Sequence, residues 1–202
     1  MKQTIILLLF SILIVGTQCK PINTISRISP DTSTELSGKW NDTDARMVSE
    51  EMISDALSNN WLTNHSTTKD QPPVVIVGTV RNESMEHIDT DIVTKEMERA
   101  FVNSGLVTLV ANASERLEIR DERNDQQSNA SLESMKEMAK ELGADYMLIG
   151  NISSILDDAP DGRTTAIFYT VNLELISIET NVKVWIGNKK IKKIIERRNY
   201  RG

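Results

Sequence analysis

Few side chains in this 202-residue sequence have the type and spacing for chemistry, and the first of them is a cysteine. Cys19, the only one in the chain, stands in "LIVGTQCKP" directly after the apolar run "IILLLFSILIV" from Ile5 to Val15. Lys2 precedes that run. The run is too short for a hydrocarbon core about 30 Å thick, and it has the order of a secretory signal: basic start, apolar centre, small-residue end. A thiol at the cut site of such a signal is an acylation site, its sulfur forming a thioether to diacylglycerol and its new amino group taking a further chain. Val15, Gly16, Thr17 and Gln18 fill the positions that a lipoprotein signal peptidase reads, with Gln18 bulkier than the usual Gly, Ala or Ser. The other reading is an ordinary secreted protein cut near Gly16 with a leftover thiol. The avoidance of cysteine elsewhere favours lipidation.

The remaining candidates for chemistry are sparse. His65 and His87 fall in expected loops, exposed and without metal-ligand spacing. The turn "DDAPDGR" gathers Asp157, Asp158 and Asp161, yet it lacks the spaced ligands and terminal glutamate of a calcium loop, and a solvated hairpin turn accounts for it. No nucleophile elbow or phosphate-cradling glycine loop is present. The chain therefore reads as a non-enzyme without cofactor or metal. In "NDTDAR", Asp42 and Asp44 could pass for paired acids, yet their place before a helix explains them as caps and dipole partners. In "GNKKIKKIIERRNYRG", Lys189, Lys190, Lys192 and Lys193 lead a basic end with one acid, Glu196. Such lysines either block an edge strand against aggregation or dock an anionic partner or lipid headgroups.

The formal charge is −6, and loss of Lys2 with the signal makes it about −7. An acidic chain of this sort is a poor nucleic-acid binder, since phosphate contact needs clustered Lys and Arg, and no nucleic acid is expected. Six Asn-X-Ser/Thr sequons begin at Asn41, Asn64, Asn82, Asn112, Asn129 and Asn151. They are glycan sites in a eukaryotic secretory pathway and chance matches in an Asn- and Ser-rich bacterial protein.

The elements that must position these groups follow from periodicity. Residues 1–18 are the signal, and 19–36 a Pro-, Ser- and Thr-rich tether. Lys20 to Leu36 reaches about 60 Å at full stretch and typically roughly 20–25 Å. Residues 37–202 form the globular domain, large enough to bury roughly 70% of its unfolded surface without disulfides. Val48, Met52, Ile53, Ala56 and Leu57 mark a helix entered through Trp40. A buried strand runs from Val74 to Val80, and a loop leads to a cap at Thr90. The helix from Asp91 to Ser104 carries Ile92, Val93, Met97, Ala100 and Phe101 on one face and stops at Gly105. "LVTLVA" is the second strand, "ASERLEIRDERNDQQSNA" is helix-compatible and partly a loop, and Leu132, Met135, Met138, Ala139 and Leu142 mark another helix. Three strands follow, "DYMLIGNISSIL", "TTAIFYTVNLELISIE" and "VKVWIGNKKIKKI". The order βαβ, helix, β-meander predicts one small mixed α/β (α+β) sheet flanked by helices.

"LSGKWNDTDARMVSEEMI", "VVIVGTVRNESMEHIDTDIVTKEMERAFVNSGLVTLV", "AKELGADYMLIGNISS" and "VNLELISIETNVKVWIG" keep one order from about Ser37 to Gly187. In that order they resemble the LpoB family, and the resemblance implies that Trp40, Asn41, Asp42, Asp44 and Arg46 of "WNDTDAR" are partner-binding candidates, where a capped helix start with a packed tryptophan is the other reading. The resemblance implies a fold similar to the N-terminal domain of TolB and the periplasmic domain of CsgG. It also implies an outer-membrane lipoprotein facing the periplasm, anchored through Cys19, whose monomeric domain binds and activates a bifunctional penicillin-binding protein in peptidoglycan synthesis. Lys20 fits that location, since no aspartate stands after Cys19 as an inner-membrane signal. The tether is shorter than in members that span the periplasm. An envelope scaffold or secretion-associated lipoprotein is the alternative. A CsgG-like pore needs membrane-spanning hairpins, and "DDAPDGR" is too short for one.

Overall fold

The computed structural model describes residues 26–29, 32, 35–128, 142–160 and 162–197. Two compact units are distinguished, Met1–Thr32 and Ser33–Gly202. In the first, the Thr32 N–H donates to the Ser29 carbonyl at 3.0 Å. All elements below belong to the second. Cys19, Asp161, Arg198, Arg201 and most of the helix expected over 131–143 lie outside the described residues.

Helix α1 (Asp42–Ser58) starts from a reciprocal cap. The Asn41 side chain accepts from the Asp44 N–H at 3.1 Å, and the Asp44 carboxylate accepts from the Asn41 N–H at 2.9 Å. Two donors that a first turn would leave unpaired are thereby met. Ala45, Val48, Met52, Ile53 and Ala56 then bury one stripe. Where the sequence suggested a loop around His65, the structure has a second helix, α2 (Asn60–Thr68), with Trp61 and His65 inward. "NWLTNHSTT" holds too few apolar residues for a readable period, so one Trp and one His four apart are its whole buried face.

Strand β1 (Val74–Glu83) runs three residues past its expected end, through a register shift between Val77 and Val80. Asp89, rather than Thr90, caps α3 (Thr90–Ser104) by accepting from the Asp91 N–H. Gly105 closes α3 at φ 65°, a left-handed conformation that suits glycine. Val93, Met97 and Phe101 face the core, whereas Ile92, expected among them, is 55% exposed. Strand β2 (Thr108–Val110) follows, and then α4 (Ala113–Ser128) continues as helix where part of a loop was expected. It begins with a second reciprocal cap, between Asn112 and Glu115.

Strands β3 (Tyr146–Asp158), β4 (Thr164–Ser177) and β5 (Lys183–Glu196) form the meander, and the sheet order is β2-β1-β3-β4-β5. The first three strands in that order are parallel, and β3, β4 and β5 are antiparallel. The α/β expectation is thus met by a mixed five-stranded sheet with α1 and α3 packed on one face. Strand β4 alternates without a break, putting Ile167, Tyr169, Val171, Leu173 and Leu175 under the helices. Pairing of β1 with β3 ends at Glu83 and Ser153. Beyond it, β3, β4 and β5 continue as a three-stranded extension.

Gly187 of β5 makes room for the Trp185 indole, which lies where a Cβ would sit. That placement lets Trp185 Nε1 donate to Asp55 of α1 at 2.9 Å. A Gly187→Ala methyl must push the ring from this seat. Overpacking of this kind costs about 1–3 kcal/mol, to be read as a lower urea midpoint with an unchanged m-value.

Candidate functional site

The two groups that the sequence offered for binding, the helix start at Trp40–Arg46 and the lysines of β5, meet in space. Because side chains alternate along β5, Lys189 and Lys193 point to the helical face and Lys190 and Lys192 to the opposite one. The strip is therefore two pairs with different surroundings.

Lys193 is the centre of the first arrangement. Its Nζ donates to Asp44 Oδ2 at 2.6 Å, Glu35 Oε2 at 2.9 Å and the Lys39 carbonyl at 3.0 Å. An ammonium has three N–H groups, and all three are used. Asp44 is 2% exposed, so its charge is met by Lys193 and by the Asn41 N–H inside the fold. Asn41 Nδ2 also donates to Glu35, at 3.2 Å. Burial alone would lower the Lys193 pKa, but the hydrogen bonds to Asp44 and Glu35 outweigh it and hold it above the ordinary 10.5. The Lys193 bond is in turn the largest cause of a lowered Glu35 pKa.

Beside this network, Trp40 stands edge-on to Tyr169, with ring centroids 5.5 Å apart. Glu86 holds both residues, accepting from the Tyr169 hydroxyl at 2.8 Å and from the Trp40 N–H at 3.2 Å. Burial first, then Glu86, raises the Tyr169 pKa far above its usual 10. Gly38, at φ 69°, presses on Ile195, where a side chain would collide. Residues 35–40 thus form a strap across the helical side of the three-stranded extension.

The structure sorts the candidates. Asn41 and Asp44 serve the cap, Trp40 packs, and Lys193 closes the network, while Asp42 is exposed and Arg46 half-buried. Lys189 pairs with Glu51 of α1. Among the described residues Lys190 and Lys192 make no ion pair, and Lys192 Nζ lies 4.7 Å from the centre of the Phe168 ring. Asp158 accepts from the Thr165 hydroxyl at 2.5 Å, as a hairpin residue. Among the described residues no group of three or more metal-ligating side chains converges.

His65 corrects the expectation of an exposed loop residue: it is 5% exposed, its Nδ1 is 3.1 Å from the Tyr146 hydroxyl, and its ring and that of Trp61 stand edge-on to Tyr146. His87 is exposed, as expected. The sequence reading also missed a polar row on the opposite sheet face. Glu83, Asn151, Asn172 and Asn188 lie side by side on β1, β3, β4 and β5, and each asparagine amide donates to the preceding member. Only strand register brings them together.

A family model described as the peptidoglycan-synthase activator LpoB matches residues 44–191, which run from α1 to β5. Among solved structures, the LpoB C-terminal domain from Escherichia coli aligns with 73% of this chain and 98% of its own, at 18% identity and a TM-score of 0.46. The LpoB C-terminal domain from Salmonella enterica covers the same shares at 18% identity and a TM-score of 0.44. Lipoprotein GNA1162 from Neisseria meningitidis aligns with 64% of this chain and 88% of its own, at 13% identity and a TM-score of 0.38. No curated protein matches the sequence.

Removing the Lys193 charge while Asp44 stays buried should be severe. Lys193→Met is expected to cost about 3–5 kcal/mol, and Lys193→Met with Asp44→Asn to recover most of it, both read from urea unfolding. The pKa directions set a second expectation. Lys193 and Tyr169 both titrate higher in the folded protein, so their stabilisation is complete below the unfolded values of 10.5 and 10.0 and is lost as pH rises toward the folded ones. Unfolding free energy should fall between about pH 9 and pH 11, and less steeply in Lys193→Met.

Proposed function

The chain belongs to the LpoB family of peptidoglycan-synthase activators, and from that premise we propose that it is an outer-membrane lipoprotein that binds and activates a bifunctional penicillin-binding protein. The observation that carries this reading is the family match from Asp44 to Ile191, which takes in the whole order of elements from α1 to β5. In the proposal, Cys19 carries the lipid after residues 1–18 are removed, the tether expected over 19–36 ends where the strap begins at Glu35, and the domain faces the periplasm. The charge of −6 and the paired state of Lys189 and Lys193 suit a protein-binding role better than contact with a polyanion.

The domain contributes no catalytic group to the reaction. It raises the synthase rate by holding the active conformation more tightly than the inactive one, since a ligand shifts an equilibrium only by its differential affinity. Of the "WNDTDAR" residues, Asp42, which is exposed, and Arg46, which is half-buried, are the proposed contacts, since Asp44 is buried and Asn41 and Trp40 lie within the cap and the strap.

The test follows glycan polymerisation on lipid II with the ectodomains of the bifunctional penicillin-binding proteins of the same cell, titrated with residues 33–202. Saturable acceleration of one of them is expected. Reversing both proposed contacts, Asp42→Lys with Arg46→Glu, should raise the half-saturating concentration by about tenfold or more, while loss of the first-turn acid lowers stability by only about 0.3–1 kcal/mol. No binding and no acceleration with any of them would overturn the activator reading. Loss of label from a palmitate analogue in Cys19→Ser is the expected sign of the anchor.

A further inference from the structure

The three-stranded extension has two unlike sides. Its helical side is closed by the strap, through Gly38 on Ile195 and Lys193 on Glu35 and Asp44. Its other side carries Ile155 on β3, Phe168 and Ala166 on β4, and Lys190, Lys192 and Ile194 on β5. Ile155 is 68% exposed and Ile194 59%. Ile155, Phe168 and Lys192 are direct cross-strand neighbours, and Lys190 stands one row before them with Thr170 and Ser153. Asp157 and Glu196 sit at the rim of the same face, with Arg163 and Arg197 beside them.

Such a face, with large apolar side chains set around Lys190 and Lys192, which make no ion pair among the described residues, suits the boundary of a bilayer, where apolar groups enter the acyl region and lysines reach headgroup phosphates. The course of the chain points the same way. Residues 35–40, the last part of the N-terminal segment, are stitched to this very extension. A lipid-anchored chain therefore enters the domain at the end that carries the patch.

We propose that the open face of this extension is a membrane-docking surface, which seats on an anionic phospholipid bilayer with Ile155, Phe168 and Ile194 at the acyl boundary and Lys190 and Lys192 at the phosphates. The proposal rests on the reading of the chain as lipid-anchored. A tether this short holds the domain at about millimolar effective concentration near the bilayer. A patch of about millimolar affinity is then engaged roughly half the time. Docking of this strength holds the domain at its own membrane and releases it readily to a partner.

The experiment uses residues 33–202, the compact unit that contains the whole sheet and core, unlipidated, sedimented with millimolar lipid. Vesicles of phosphatidylcholine alone are compared with vesicles that also contain phosphatidylglycerol. Binding to the anionic vesicles, weakened by salt, is expected. Lys190→Gln with Lys192→Gln should weaken it about thirty-fold, from the contribution of each lysine near an anionic surface. Lys183→Gln with Lys189→Gln removes the same charge from cations already paired with Glu174 and Glu51 and should leave binding nearly unchanged. Ile155→Ser with Ile194→Ser should also weaken binding. Equal loss in the two lysine pairs would show a response to net charge and overturn the proposal. So would a failure to sediment with either vesicle, including a failure accompanied by lower synthase stimulation in Lys190→Gln/Lys192→Gln, which would assign the face to a protein. Binding left intact by the serine pair would overturn the acyl-boundary placement. Sedimentation involves no synthase, so its failure and a failure of the activator reading are separately visible.

Discussion

A carboxylate that is 2% exposed needs a counter-charge, and for Asp44 Lys193 supplies one at 2.6 Å. Much of the domain's far end follows from that need. Lys193 reaches Asp44 because β5 continues past the last residues of β1 and because its odd-numbered positions face the helices. The ammonium still has two donors once Asp44 is met, and an unmet donor in that position is costly. Glu35 and the Lys39 carbonyl take them, which draws the chain before α1 across the sheet. Trp40 then lands on Tyr169, and Glu86 from the loop after β1 joins both. One buried pair thus ties the entry of the chain, the start of α1, the loop after β1 and the end of β5 into a single unit.

The same pair explains why part of the molecule was legible in the sequence and part was not. Elements with a strong local period stood out: the stripe of α1, the alternation of β4 and the glycine stop of α3 are set by neighbours within a few residues. The family was legible for the same reason, since its blocks are runs of such elements. Helix α2 did not stand out, because its buried face is only Trp61 and His65 and its stability comes from Tyr146, which is far away in sequence. For the same reason His65 read as a loop residue.

The site was less legible still. "KKIKK" is one basic cluster as a string, but a strand sends alternate residues to opposite faces, and what each face meets is decided by register. Lys189 and Lys193 meet Glu51, Asp44 and Glu35, whereas Lys190 and Lys192 meet Thr170 and Phe168. Of the acids of "WNDTDAR", Asp44 takes part in the cap and Asp42 stands in the first turn without capping, yet nothing local says that Asp44 is also half of an ion pair that joins positions 149 apart in sequence, 44 and 193. The asparagine row across β3, β4 and β5 is invisible for the same reason: its members have no relation until three strands are aligned.

These placements divide the binding duties of a chain that reads as a regulator. Asp44 and Lys193 are spent inside the fold on each other's charge, so a contact that must form and dissolve falls to other groups. Asp42 and Arg46 at the helix start and Lys190 and Lys192 on the far sheet face stay nearer the surface, with Glu196 and Arg197 exposed at the end of β5. Those two sets lie on opposite sides of the sheet, since α1 covers one face and the lysines project from the other. A partner held at the helix start and a surface met by the lysines therefore need not exclude one another by contact. In the proposed arrangement, competition between them comes from the reach of residues 20–34, about 50 Å at full stretch, rather than from shared residues. Tether length is then the quantity that sets whether both proposed contacts can be held at once.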